Sequence, residues 1–421
     1  MIKKTTLKNG LRVVTIPQKG TKTVTVLVLV GTGSKYETKE ISGISHFLEH
    51  MFFKGTTKRP KPLDVAEVLD QVGGAFNAFT GEEYTGYYAK VDSTHFDLAL
   101  DWVADIFLHS ALPPKEIRKE KGVVLEELHM YRDYPARHVD DLWTKLLYGD
   151  QPAGWNIVGT AESIQSFTRK DLQEYVQRQY VASNTVVCVA GNVQLGEAQK
   201  KVATYFSALS KGRAKQKQAV IERQTKPGLL VEYRKTNQTN IALGVRGYDM
   251  FHKDRYAQHV LAVILGGMMS SRLFEEIRER RGLAYDIGTS ADSDTDTGCL
   301  VTTAGIKNGF VGKAIQVIAA EYKKLKTVQV SQTELKKAKE NEKGKMALRL
   351  ESSDAKANFY AMQELLRGEM LTPEQIYDKI QAVTAADIQR VAKDVFREQQ
   401  LNLVVLGPHK NKQQFQQLLK I

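Results

Sequence analysis

Thr168-Arg169-Lys170-Asp171-Leu172 and Thr384-Ala385-Ala386-Asp387-Ile388 open the same local pattern twice, at an offset of 384 − 168 = 216 in the numbering. In each, a threonine with an acid three residues on reads as a helix N-cap, close to the capping box that satisfies free backbone donors. An apolar run with strand character follows each helix, at 185–190 and at 401–406. Gly191 and Gly407 close those runs at the same interval from each threonine (191 − 168 = 407 − 384 = 23). Further helices are expected over 195–209 and 411–419. The offset is about half of the 421-residue chain, so the pattern predicts two domains of one fold, 1–210 and 226–421.

Between them lies a basic stretch, 211–225, with Lys211, Arg213, Lys215, Lys217 and Arg223 opposed only by Glu222. It has no interleaved aromatic residues and reads as a solvated linker rather than a nucleic-acid surface. Within each half, strands come first (11–16 and 23–30; 229–234 and 240–245), then helices and a hairpin, then consecutive helices. In the second half, a polar turn at 291–296 is expected between strands 284–289 and 299–304. Clustered strands with helices over one face make an α+β fold, not a strict β-α alternation.

Composition narrows the classes. With 42% hydrophobic and 26% charged residues the chain is globular. Its net charge of +12 is spread along the sequence and names no partner, so no nucleic acid is expected. Only two cysteines occur, Cys188 and Cys299, which excludes a disulfide scaffold and any zinc site built on cysteine pairs. The opening residues carry a polar turn, Lys8-Asn9-Gly10, where a signal peptide needs its apolar core. The longest apolar run, 24–30, is far too short for a membrane span. The expectation is a cytoplasmic protein with no membrane partner.

The chemistry concentrates at His46-Phe47-Leu48-Glu49-His50. A helix is plausible over 43–53, and residues four apart share a helix face, so His46 and His50 can offer two imidazoles to one ion. A catalytic zinc keeps three protein ligands and an exchangeable water. Glu49 can lie beside that water and take its proton without binding the metal. The third ligand must come from elsewhere. A helical stretch after Pro113-Pro114 contains Glu120, Glu126 and Glu127, and the spacing of Glu120 and Glu127, seven apart, puts them on nearly one face. Spacing alone does not choose between Glu126 and Glu127.

His46-x-x-Glu49-His50 resembles the inverted zinc motif of the pitrilysin/insulinase peptidases. In that family a glutamate ligand follows the second histidine at an offset of 76 or 77, with another glutamate seven before it. Glu127 and Glu120 match those places (127 − 50 = 77, 127 − 120 = 7). The resemblance covers essentially the whole chain, including Met51-Phe52-Phe53-Lys54-Gly55-Thr56, and is strongest to the bacterial branch similar to the mitochondrial processing peptidase β-subunit. It implies one zinc ion per chain, held by His46, His50 and Glu127, with Glu49 as general base and Glu120 in support.

Gly73-Gly74-Ala75-Phe76-Asn77-Ala78-Phe79-Thr80 reads as a helix end followed by a hairpin. It is either an ordinary hairpin or an exposed edge that accepts an extended peptide. The resemblance implies the second use, with Ala75, Phe76, Asn77 and Ala78 against the substrate. The segment from Ser271 to Arg281 reads as a charged helix closed by Gly282 into a strand carrying Tyr285. Family members complete the active site here with an Arg and a Tyr seven apart, matched by Arg278 and Tyr285 and less well by Arg280 or Arg281. The resemblance further implies two homologous domains, each a mainly antiparallel sheet covered by helices, forming a clam-like chamber: a zinc-binding catalytic domain at 1–210 and a completing domain at 226–421. The expected function is a zinc metalloendopeptidase acting as a homodimer on short or unfolded peptides. The alternative is a catalytically silent peptide-binding or structural subunit of a larger peptidase complex.

Overall fold

In the computed structural model, which describes residues 2–421, the first half builds a six-stranded sheet. Its strands are β1 (Lys3–Thr6), β2 (Arg12–Pro17), β3 (Thr23–Val30), β4 (Ala75–Thr80), β5 (Thr85–Asp92) and β6 (Thr185–Gly191), in the order β1-β2-β6-β3-β5-β4. The second half builds a five-stranded sheet from β7 (Gly228–Tyr233), β8 (Gln238–Arg246), β9 (Ala284–Ser293), β10 (Gly298–Lys307) and β11 (Leu401–Gly407), in the order β7-β11-β8-β10-β9. With β1 set aside, the two orders match strand for strand. In each sheet one pair is parallel, β2 with β6 and β7 with β11, and the other pairs are antiparallel. The fold is α+β and duplicated, as the two capping boxes predicted.

The first half carries helices α1 (Ile44–Met51), α2 (Pro62–Asp70), α3 (Phe96–His109), α4 (Pro114–Asp133), α5 (Pro135–Tyr148), α6 (Ala161–Ser166), α7 (Arg169–Gln179) and α8 (Leu195–Tyr205). The second carries α9 (Arg255–Gly266), α10 (Val311–Thr327), α11 (Gln332–Arg349), α12 (Ser353–Arg367), α13 (Pro373–Gln381), α14 (Ala385–Val395) and α15 (Gln413–Gln416). Both expected caps are formed: Thr168 and Thr384 accept the N–H of Asp171 and Asp387, and each acid accepts the N–H of its threonine. Each of the interior strands β6 and β11 is buried along its whole length. Helices cover both faces, so these strands read as continuous apolar runs rather than alternations.

The compact units are not two continuous stretches. One comprises the residues up to His129, Trp155–Gln218 and Ala347–Leu371; the other comprises Met130–Gly154, Ala219–Met346 and Thr372–Ile421. Within the first unit, α12 lays Ala357, Tyr360 and Ala361 on Leu27, Leu29, Val186 and Cys188. Within the second, α5 lays Val139, Leu142, Trp143 and Leu147 on Ala242, Val301, Val404 and Leu406. The linear expectation, 1–210 and 226–421, keeps each of these helices with its own half, whereas each covers the other half's sheet. An apolar helix stripe fixes that a helix is covered, not by which sheet.

The segment 211–225 has no helix or strand, as expected of a linker, but it is not simply solvated. In the first unit Lys217 Nζ lies 3.2 Å from the buried carboxylate of Glu83, which also meets Lys35 at 3.4 Å. In the second unit Val220 donates its N–H to Asp296, and Glu222 pairs with Arg246 at 3.0 Å. Three other boundaries differ from expectation. The helices at 195–209 and 411–419 shorten to Leu195–Tyr205 and Gln413–Gln416, and β9 runs on to Ser293, so the turn narrows to 294–297. Among the described residues no helix is long and apolar enough to cross a membrane.

Candidate metal and catalytic centre

Helix α1 carries His46, Glu49 and His50, and the 20-residue α4 carries Glu120 and Glu127. His46 is buried and His50 half-buried, with ring centroids 4.8 Å apart. The Nε2 atoms of His50 and His46 lie 3.2 and 3.6 Å from the same oxygen, Glu127 Oε2. In a tetrahedral zinc site with bonds of about 2.0–2.1 Å, neighbouring donors lie about 3.3 Å apart. The two measured separations bracket that spacing, and two imidazoles with one carboxylate are a donor set suited to a catalytic zinc. Among the described residues this is the one group of three or more such donors close enough to share an ion. Glu126, which spacing left as an equal candidate, is exposed and turned toward His129 at 3.9 Å.

Behind the donors, Glu120 Oε1 lies 2.9 Å from His50 Nδ1, and Lys54 Nζ lies 2.9 Å from Glu120 Oε2. Burial opposes a charge on His50, but Glu120 and Glu127 outweigh it and push the imidazole up to about 9. Burial likewise acts against ionised Glu120, yet the bonds from His50 and Lys54 hold its carboxyl below the usual range. The cluster therefore draws positive charge to the place where the Nε2 atoms meet Glu127. A divalent cation bound there would take over the proton's electrostatic role.

Glu49 stands beside this trio rather than in it. Its Oε2 accepts a hydrogen bond from Thr80 Oγ1 at 2.6 Å. Thr80 ends β4, an edge strand that pairs on one side only, with β5. Along it Ala75 and Asn77 are exposed, Ala78 is buried, and Phe76 turns toward Phe53 and Trp102. The hairpin and the open edge expected at 75–78 are thus one feature.

Arg278 and Tyr285 lie in the second unit. The expected helix over 271–281 is instead π-helical at Phe274–Glu279, and Gly282 has φ +58 before β9 begins. A π turn accommodates one extra residue per turn and shifts the side chains after it, which a 3.6-residue period does not reveal. The Arg278 guanidinium lies over the rings of Phe274 and Tyr285, at 4.7 and 4.8 Å from their centroids. Tyr285 is 80% exposed. The competing arginines are tied up, Arg280 with Glu275 and Glu276 and Arg281 with Glu276. The structure thus gathers His46, Glu49, His50, Glu120 and Glu127 in one unit and pairs Arg278 with Tyr285 in the other. Sequence reasoning assigned no role to Thr80 or Lys54. For Lys54 the four-residue spacing from His50 was the available signal; for Thr80, distant from Glu49 along the chain, there was none.

Comparison with known proteins points to a family of peptidases. Residues 12–161 match the insulinase family of peptidases, M16, and residues 166–342 match the M16 peptidase inactive domain. The chain is 38% identical to an uncharacterized zinc protease, YmxG, of Bacillus subtilis over 98% of its own length and 99% of the relative's. It is 36% identical to an uncharacterized zinc protease of Mycobacterium leprae, covering 99% of this chain and 94% of that one. A solved structure of a protease from Helicobacter pylori superposes with a TM-score of 0.91 at 27% identity, covering 97% of this chain and 99% of the other.

Proposed function

The chain belongs to the insulinase family of peptidases, M16, and from that premise we propose that it is a zinc-dependent endopeptidase cleaving short or unfolded peptides held in extended form. The observation that carries this reading is the convergence of His46 Nε2 and His50 Nε2 on Glu127 Oε2. These three side chains would hold a zinc ion, which would supply Lewis acidity to a water and to a peptide carbonyl. Glu120, through His50 Nδ1, holds that ring with Nε2 turned to the metal position. Glu49 takes the proton of the attacking water and returns it to the departing amine, and Thr80 aims it. The open edge of β4 at Ala75, Phe76, Asn77 and Ala78 binds substrate main chain, so extended chains are preferred over folded ones. Tyr285 donates to the developing oxyanion, and Arg278 holds a substrate carbonyl or carboxylate. The protein works as a cytoplasmic homodimer with one zinc per chain; the resemblance in its sequence supports the dimer. The match of 166–342 to an inactive domain suits a division in which the first half alone holds metal.

The test is zinc content and cleavage of an internally quenched peptide, with and without chelator, beside Glu49→Gln. Native protein is expected to hold one zinc per chain and to lose activity on chelation. Glu49→Gln should keep the zinc and lose turnover. A native protein that binds no zinc, or a Glu49→Gln variant that cleaves at the native rate, overturns the reading.

A further inference from the structure

Glu37 lies outside the motif, ahead of His46 in the chain (46 − 37 = 9), yet its carboxylate is buried against the first turn of α1. Its Oε2 accepts the N–H of Gly43 at 2.6 Å and its Oε1 the N–H of Ser45 at 2.9 Å. The opening turn of any helix leaves backbone N–H groups without partners inside the helix. Usually the N-cap residue's own side chain satisfies one of them. Here the N-cap is Gly43, which has no side chain and cannot acquire one. Its φ is +90, and a Cβ there would come within 2.2 Å of the Val158 carbonyl oxygen. Gly159 is bound in the same way, since a Cβ on it would meet the Ser42 carbonyl oxygen at 2.3 Å. This close approach of two chain segments fixes where α1 begins, and it makes self-capping impossible. Glu37 supplies the missing cap from outside the helix, one oxygen to each N–H.

The two histidines differ in how they are held. His50 has Glu120 on its Nδ1, whereas the Nδ1 of His46 is buried with no hydrogen-bond partner. Metal-binding histidines usually gain their ring orientation from such a bond. For His46 orientation must come instead from the backbone it stands on, directly after Ser45. That turn is held by Glu37 and by Ser45 Oγ, which meets Tyr175 OH at 2.9 Å; Tyr175 in turn meets Thr32 at 2.7 Å.

We propose that Glu37 is the positioning residue for His46, fixing the helix turn from which that imidazole reaches the metal. This rests on the reading of the site as a zinc centre. Glu37→Gln keeps the size of the side chain but offers a single acceptor oxygen and turns an NH2 toward a backbone N–H. Three measurements test the role: zinc affinity by chelator competition, kcat and KM on a peptide, and amide exchange of Gly43 and Ser45 in the metal-free protein. The expected result for Glu37→Gln is zinc affinity lower by about ten- to a hundredfold, with kcat reduced, KM unchanged and cooperative unfolding retained. Its Gly43 and Ser45 amides should exchange faster than in the native chain. Glu37→Asp, which keeps both acceptor oxygens, should recover part of the zinc affinity. Native zinc affinity and exchange in Glu37→Gln overturn the role. So does rapid exchange of the Gly43 and Ser45 amides in the native protein, a measurement that decides even where the variant does not fold. A native chain that takes up no zinc fails the proposed function instead, so the two failures are distinct.

Discussion

Thr80→Val removes one hydroxyl from the centre and puts a methyl group of nearly the same size in its place. In the native chain that hydroxyl donates to Glu49 Oε2 at 2.6 Å, an ordinary length for a hydroxyl bonded to a carboxylate. Hydrogen bonds to charged groups are worth about 1.5–3 kcal/mol. Thr80 and Glu49 are both only part-buried, so water recovers some of that value and the lower part of the range, about 1.5–2 kcal/mol, applies. At about 1.4 kcal/mol per decade this is a loss of about ten- to thirtyfold in kcat if the bond aims Glu49 at the attacking water. The hydroxyl donates to Glu49, which stands outside the three-donor group, so zinc content should stay native. Thr80→Ser, which keeps the hydroxyl, should stay close to native in rate. The assay is kcat and KM on an internally quenched peptide, with zinc measured on the same preparations. A Thr80→Val enzyme of native kcat refutes the positioning of Glu49. A change confined to KM assigns Thr80 to the substrate strand instead.

Other perturbations separate the remaining parts. Glu120→Gln weakens the hold on His50 Nδ1 and should cost about ten- to a hundredfold in zinc affinity, read by chelator competition; unchanged affinity would make Glu120 a bystander. Arg278→Ala and Tyr285→Phe should each leave zinc binding intact and lower kcat, by about a hundredfold for the tyrosine if its hydroxyl serves the oxyanion; native kinetics in both would end their assignment. Thr384→Ala tests the second capping box. The Thr384 hydroxyl, then its N–H and Arg390, hold Asp387 down to about 2. A carboxyl whose folded pKa lies below its unfolded value of about 3.9 stabilises fully above that value and loses the contribution as pH falls through 2. The side chain is 35% exposed, so screening reduces the benefit to about 1 kcal/mol. Urea denaturation should show Thr384→Ala less stable than native at pH 7, with the gap narrowed at pH 2; an equal gap at both would remove the carboxylate from the cap.

Much of this architecture was legible because it depends on short-range chemistry. A threonine and an acid three residues apart announce a helix start wherever they fall, and two such starts followed by buried strands announce a repeat. His46 and His50 fall on one face because four residues make about one turn. Glu127 was separable from Glu126 only through the resemblance, since adjacent residues on a helix point about 100° apart and the sequence does not say which of them faces α1. What stayed hidden depends on long-range choice. The apolar stripes of α5 and α12 are plain, but nothing local says that each covers the sheet of the other half. The π turn at Phe274–Glu279 changes the helical period itself. Lys217 looked like one solvated charge among several until Glu83, its partner from the far side of the first half, was seen to be buried.

The second unit shows why the fold alone does not make the centre. Its α9 and α11 occupy the places in chain order that α1 and α4 hold in the first, and they too bring a histidine to a glutamate. His259 Nε2 meets Glu342 Oε2 at 2.6 Å. That distance is a direct hydrogen bond, shorter than the 3.2 and 3.6 Å that separate donors around the first centre, and it leaves no room for an ion between the atoms. Lys345 Nζ lies 3.8 Å from Glu342, so a protein cation already stands beside the carboxylate. Helix α9 has twelve residues, nine of them buried, and is spent largely on packing. Helix α1 has eight, and its last turn gives two of its side chains, Glu49 and His50, to the site instead of the core. One turn after His259 the chain has Val263, so α9 offers a single imidazole where α1 offers two. This explains how a duplicated fold can have unequal duties, with zinc expected in the first copy alone.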